Sequence, residues 1–213
     1  MVSPCKNRTR RRPFSTASLG VSGLAMDSED ILTEMELALK RRRGYADGRS
    51  WPIDRSLEEM GVVEDFIRAA ASEEGYPFSE FRIRERGEDP PDLEMRDISS
   101  RRIGVEVTEL VDQRSVENAA AGRYTPHFAW TREVFLEKLT ERLASKDIGN
   151  RLKGGLYDEF MVLIYTDEYL LIESQVRLWL ADFSFQRPRT IHRAYLSLGY
   201  CHEVGYPLIR LAW

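Results

Sequence analysis

GEDPPDLEMRDISSRRIGVEVTEL, residues 87–110, decides the fold of this chain. A Pro-Pro-Asp step leads into a short strand at Asp92–Asp97, and a second strand follows with Glu106-Val-Thr in it. Side chains alternate between the two faces of a strand. Ile103, Val105 and Val107 therefore share one face, and three β-branched residues together make a core face. Gly104, Glu106 and Thr108 share the other. Asp92 lies at the mouth of the preceding strand, so pairing of the two strands brings Asp92 and Glu106 together. Two carboxylates with open positions around them suit Mg²⁺ or Mn²⁺, ions that keep several waters and accept phosphate oxygens as further ligands. Read without a ligand, the same pair is two solvated acids in a chain that has 35 of them.

The surrounding sequence supplies the rest of a mixed sheet. Ser56-Leu-Glu-Glu59 is a capping-box pattern that opens a helix to about Ala71, with Met60, Val63, Phe66, Ile67 and Ala70 as its buried stripe. FSEFRIRER alternates apolar and polar residues as a half-buried strand does. Residues 112–127 read as a polar loop. TREVFLEKLTERLASK reads as a helix with Phe135, Leu136, Leu139 and Leu143 inward. EFMVLIYT is almost wholly apolar, as a strand covered on both faces is. A helix near 173–182 and strands near 190–197 and 206–212 complete the chain. An antiparallel hairpin feeding a helical crossover gives an α/β sandwich with a mixed sheet.

With 213 residues and 42% hydrophobic content, the chain can bury a substantial core. The first 26 residues hold Lys6, Arg8, Arg10, Arg11 and Arg12 and no acid, so of the net charge of −4 the remainder carries −9. We expect residues 1–25 to be a disordered tail outside the native fold, with Met26 a natural start. Residues 26–55 then form an N-terminal helix (27–43, ending in Lys40-Arg-Arg-Arg43) and a loop, and 56–213 the α/β domain. An acidic body does not advertise the basic face of a simple duplex-binding module. No apolar run is long enough to cross a membrane. Cys5 and Cys201 form no CxxC pair, which fits a reducing cytoplasm.

The order helix, strand, strand, strand, helix, strand, with PPD before GVEVTEL, resembles the PD-(D/E)XK nuclease superfamily over residues 56–166. The resemblance implies a restriction-endonuclease-like fold, with Mg²⁺ (or Mn²⁺) as cofactor and DNA or RNA as substrate. It places the family's two metal-holding acids on Asp92 and Glu106, and a further helix acid on Glu64, with Glu58 and Glu59 less favoured. Thr108 occupies the family's lysine position and cannot supply that cation. In some members the lysine comes from the following helix, where Lys138, Arg142 and Lys146 are the candidates here. At 100° per residue with Leu139 at zero, Lys146 falls at about −20°, Arg142 at about −60° and Lys138 at about −100°. Lys146 thus points toward the sheet if the helix reaches that far, whereas Lys138 is a solvent-facing partner for Glu137 or Glu141.

Other chemistries lack their residues. His127, His192 and His202 have no zinc spacing, and no GxSxG, P-loop or GxGxxG occurs. The four tryptophans are scattered as packing residues are. Arg187, Arg189, His192 and Arg193 form a basic cluster that suits either phosphate or solvent. Two functional readings stand at this level. One is a metal-dependent nuclease with Asp92, Glu106, Glu64 and either Lys146 or Lys138 at its centre. The other is a non-catalytic module on the same fold that binds nucleic acid or a protein partner, as an immunity-type protein does.

Overall fold

A computed structural model describes Thr33, residues 43–49, 55–73, Gly75, 78–147 and 151–213. The basic tail, Cys5, Trp51 and all of the expected 27–43 helix except Thr33 and Arg43 lie outside these residues. Helix α1 (Arg55–Glu73) is followed by strand β1 (Phe78–Ile83), a short 3₁₀ turn at Arg86–Glu88, β2 (Leu93–Asp97) and β3 (Arg102–Glu109). Helices α2 (Gln113–Ala120) and α3 (Arg132–Lys146) lead to β4 (Glu159–Tyr165). Helix α4 (Glu173–Leu180), β5 (Arg193–Ser197) and β6 (Leu208–Arg210) follow.

The six strands form one sheet in chain order. β1, β2 and β3 pair antiparallel; β3, β4 and β5 run parallel; β6 returns antiparallel to β5. Parallel neighbours need a crossover, and α3 and α4 supply the two. The result is an α/β fold with a mixed sheet. β4, at its centre, is buried at every residue. No helix among the described residues is long and apolar enough to cross a membrane.

Each face of the sheet has its own core. Val63, Phe66 and Ala70 of α1 pack with Ile103, Val105 and Val107 of β3 and Met161 of β4. On the other face Phe135, Leu139 and Leu143 of α3 pack with Phe160, Val162 and Ile164. The two-residue period of β3 therefore sends Glu106 toward the α3 side. Trp130, Trp179 and Trp213 all belong to or pack against this second core.

Two segments depart from the sequence reading. The stretch read as a polar loop contains α2, whose N-cap Asp112 accepts from the backbone N–H of Ser115. Arg43, read as a helix-terminal cation, donates to both oxygens of Glu109 at 2.7 and 2.6 Å. It starts a strap, 43–49, that ends in a buried arginine. Arg49 bonds Asp167, Ser197 and the carbonyls of Thr166 and Leu198, tying together the ends of β4 and β5.

Candidate active site

The hairpin register sets the site. Leu93 pairs with Val105, so Asp92, one residue earlier, stands beside Glu106 on the α3 face. The Asp89–Pro90–Pro91 turn that delivers Asp92 has cis peptide bonds before both prolines. It is held by the Lys153 N–H, which donates to the Pro90 carbonyl at 2.7 Å. Gly104 leaves the room: a Cβ there would meet Pro91 Cγ at 3.1 Å and the Tyr157 ring at 3.2 Å. The next acid on the β2 face, Glu94, is held by Arg102 at 2.6 Å and by the Tyr157 hydroxyl at 2.9 Å. Among the described residues neither Asp92 nor Glu106 has an arginine partner.

Asp92 is half-buried, and its Oδ2 accepts from the Val107 N–H at 2.7 Å. Burial, with the negative charge of Glu106 second, pushes its carboxyl up to about 6; the Val107 hydrogen bond and Lys146 pull the other way. Glu106 is buried, only 7% exposed. Its Oε1 accepts from Lys146 Nζ at 2.6 Å. Its Oε2 is buried without a hydrogen-bond partner among the described residues. A charged oxygen in that position is costly unless something cationic or protic meets it.

Lys146 is the last residue of α3. The helix reaches just far enough to bring its ammonium over the strand pair, on the face that the angular position relative to Leu139 indicates. Thr108 is half-buried, two residues along β3 from Glu106 on the same face. The cation beside Glu106 therefore comes from a helix and not from the strand.

The other candidates are placed elsewhere. Lys138 is not a solvent-facing partner of Glu137 or Glu141: it is half-buried, 3.8 Å from Asp112 Oδ1 and 6.0 Å from the Phe128 ring centroid. It is eight residues, about 12 Å, down the helix from Lys146. Glu64 is exposed on α1, which covers the opposite face of the sheet, so it does not join the pair. Its neighbour Val63 takes the buried position instead. Glu59 is half-buried on that same helix.

The basic cluster near the C-terminus is divided. Arg193 pairs with Glu159, and His192 Nδ1 accepts from the Phe160 N–H at 3.0 Å. Arg187 and Arg189 are exposed beside a cavity of about 540 Å³ next to Asp147. His127 is exposed and stacked on Tyr169, with ring centroids 5.1 Å apart.

Among the described residues no group of three or more His, Cys, Asp or Glu side chains gathers to hold a metal ion. A divalent cation at Asp92 and Glu106 would take its remaining ligands from water and substrate oxygens, the habit of Mg²⁺. The unpartnered Glu106 Oε2 is the donor that fits it, so the pair suits a hard ion. Sequence reasoning does not reach a second acid cluster nearby, because it forms where the segments after β3 and β4 meet each other and the strap. Glu168 Oε1 accepts from the Asp112 N–H at 2.7 Å and Oε2 from the Tyr45 hydroxyl at 2.8 Å. In comparisons with family models, curated proteins and solved structures, the chain matches none.

Proposed function

We propose that this chain is a metal-dependent nuclease, hydrolysing phosphodiester bonds of DNA or RNA, on a restriction-endonuclease-like version of the α/β fold. Asp92 and Glu106 hold Mg²⁺ or Mn²⁺, and Lys146 supplies the cation that Thr108 cannot. The observation that carries the reading is the ammonium of Lys146, 2.6 Å from Glu106 and delivered from the end of α3. Purely structural acids in this protein, such as Glu94 and Glu109, are held by arginine forks. Glu106 has instead one lysine and one open oxygen.

Each side chain has a distinct task. The Val107 N–H fixes the Asp92 carboxylate at the strand mouth. Lys146 sets the rotamer of Glu106 and brings positive charge to the edge of the pair, where it offsets charge developing on a phosphate. Bound there, the divalent ion supplies an activated water and further neutralises that charge. Protonation of Asp92 below about pH 6 weakens its hold on any cation, so activity falls on that side of neutrality.

The test is cleavage of labelled single-stranded DNA, duplex DNA and RNA in Mg²⁺ and in Mn²⁺, by the native protein and by Asp92→Asn and Glu106→Gln. The expected result is metal-dependent cleavage that both variants lose. Cleavage that survives in both variants, or none by a folded native protein on any substrate, removes the reading and leaves the binding module.

A further inference from the structure

Lys138, Arg142 and Lys146 stack at i, i+4 and i+8 on α3, neighbours on one helix face. Like charges at this spacing repel one another and weaken a helix. Two of the three are neutralised. Lys146 has Glu106 and Lys138 has Asp112.

Arg142, between them, is half-buried, and its guanidinium has no hydrogen-bond or ion-pair partner among the described residues. Its helical neighbours at i±3 and i±4 are Lys138, Leu139, Ser145 and Lys146, so no acid is within reach along the helix. Because Lys146 lies over Glu106 and Lys138 over Asp112, the turn that bears Arg142 lies over the end of β3 between them. The side chain that β3 offers there on this face is Thr108, short and neutral. A lysine in its place would have filled this gap with a fourth cation.

We infer that Arg142 is a phosphate-binding residue that grips the nucleic-acid backbone one step away from the phosphate at the Asp92–Glu106 pair. This inference rests on the nuclease reading and adds to it where the strand runs: along α3, from Lys146 toward Lys138. Three features support it. A guanidinium offers a planar fork of donors that matches phosphate oxygens. Its Cα lies about 6 Å from that of Lys146, a separation comparable to neighbouring phosphates of one strand. An anion seated there relieves the repulsion within the Lys138–Arg142–Lys146 stack. It also explains how a body of net charge −9 takes a polyanion: through a local row of cations, with no basic face over the whole surface.

The experiment is fluorescence anisotropy with fluorescein-labelled mixed-sequence oligonucleotides, as single-stranded DNA, duplex DNA and RNA. It is run in EDTA across a salt series on the native protein, Arg142→Gln, Arg142→Lys and, on the opposite face, Arg68→Gln. Metal-dependent cleavage is measured in parallel, and melting curves check that each variant is folded.

Arg142→Gln is expected to weaken binding about tenfold and to reduce the slope of log affinity against log salt by about one. Arg142→Lys is expected to restore the slope with part of the affinity, and Arg68→Gln to behave as native. A native protein that binds and cuts while Arg142→Gln keeps both its affinity and its slope overturns this inference and leaves the nuclease reading intact. A native protein that neither binds nor cuts overturns both.

Discussion

Two lysines of one helix meet two acids, and the pairs differ in what is left over. At Lys138 the partner is Asp112, whose Oδ2 already accepts from the N–H of Ser115 at 2.9 Å and from its hydroxyl at 2.8 Å. Glu168 beside it receives a donor on each oxygen, and the Tyr45 hydroxyl that donates to it also accepts from the Phe128 N–H at 2.9 Å. Burial chiefly pushes the Tyr45 phenol up to about 12, so it stays protonated as a donor. This end of the sheet is a closed network that locks strap, strand ends and loop together. At Lys146 the partner is Glu106, which keeps an unpartnered buried oxygen beside a second carboxylate whose proton affinity is raised. Closed acid networks hold a fold; an acid pair left open fits a ligand.

The largest expected effect separates the two regions by chemistry. Lys146→Met should lower cleavage by about 10²–10³-fold, the cost of removing one preorganised charge from a transition state. Lys138→Met should change turnover little, because Asp112 is already satisfied by Ser115. Steady-state kinetics on the best oligonucleotide substrate checks both; equal losses in the two variants break the distinction.

Stability should respond in the opposite order. Tyr45→Phe removes a hydroxyl that serves Glu168 Oε2 and the Phe128 N–H, and leaves that buried oxygen and that half-buried N–H without it. The expected loss is about 1–3 kcal/mol in urea unfolding, with cleavage per folded molecule retained. Asp92→Asn should do the reverse in the metal-free protein, raising its stability at pH 7.5 by about 1–2 kcal/mol while cleavage disappears.

The sign follows from linkage. The carboxyl of Asp92 titrates at about 6 in the folded protein against an ordinary 3.8. Between those values the folded state binds more protons than the unfolded, so stability falls as pH rises through that window and is level above it. The Asn variant should lack this fall. A native protein whose metal-free stability instead rises between pH 4 and 6, with the slope unchanged in the Asn variant, contradicts the assignment of an up-shifted Asp92.

The smallest effect concerns the room around the open pair. Gly104→Ala sets a methyl against Pro91 and the Tyr157 ring at contacts of 3.1 and 3.2 Å. The expected cost is about 1 kcal/mol in unfolding free energy, with a few-fold loss of cleavage because the Pro-Pro-Asp turn shifts. Full activity and an unchanged melting temperature would place the turn outside the site.

Much of this geometry was legible because it depends on period. Alternation along β3 separates Val105 and Val107 from Glu106 without knowledge of any partner. The angular position of Lys146 relative to Leu139 follows from helix geometry alone. What lay beyond the sequence was tertiary. Helix α2 is short, polar and alanine-rich, and its one start signal is the Asp112–Ser115 cap. The strap from Arg43 to Arg49 carries no periodicity, and a buried arginine with four acceptors is set by chain ends that meet only in three dimensions. Glu64 stands away from the pair for a related reason. Its helix is amphipathic as expected, but it covers the far face of the sheet and turns that acid to solvent. Lys138 likewise found Asp112 because the loop after β3 folds back, which local spacing does not encode.

The most direct measurement of the central claim is calorimetric titration of Mn²⁺ into the native protein, Asp92→Ala and Glu106→Ala, with Glu168→Gln as the closed-network control. One site bound by the native protein and the control, and lost in both alanine variants, is the expected result. No binding by the folded native protein, or binding that persists in both alanine variants, would contradict a metal centre at the open pair.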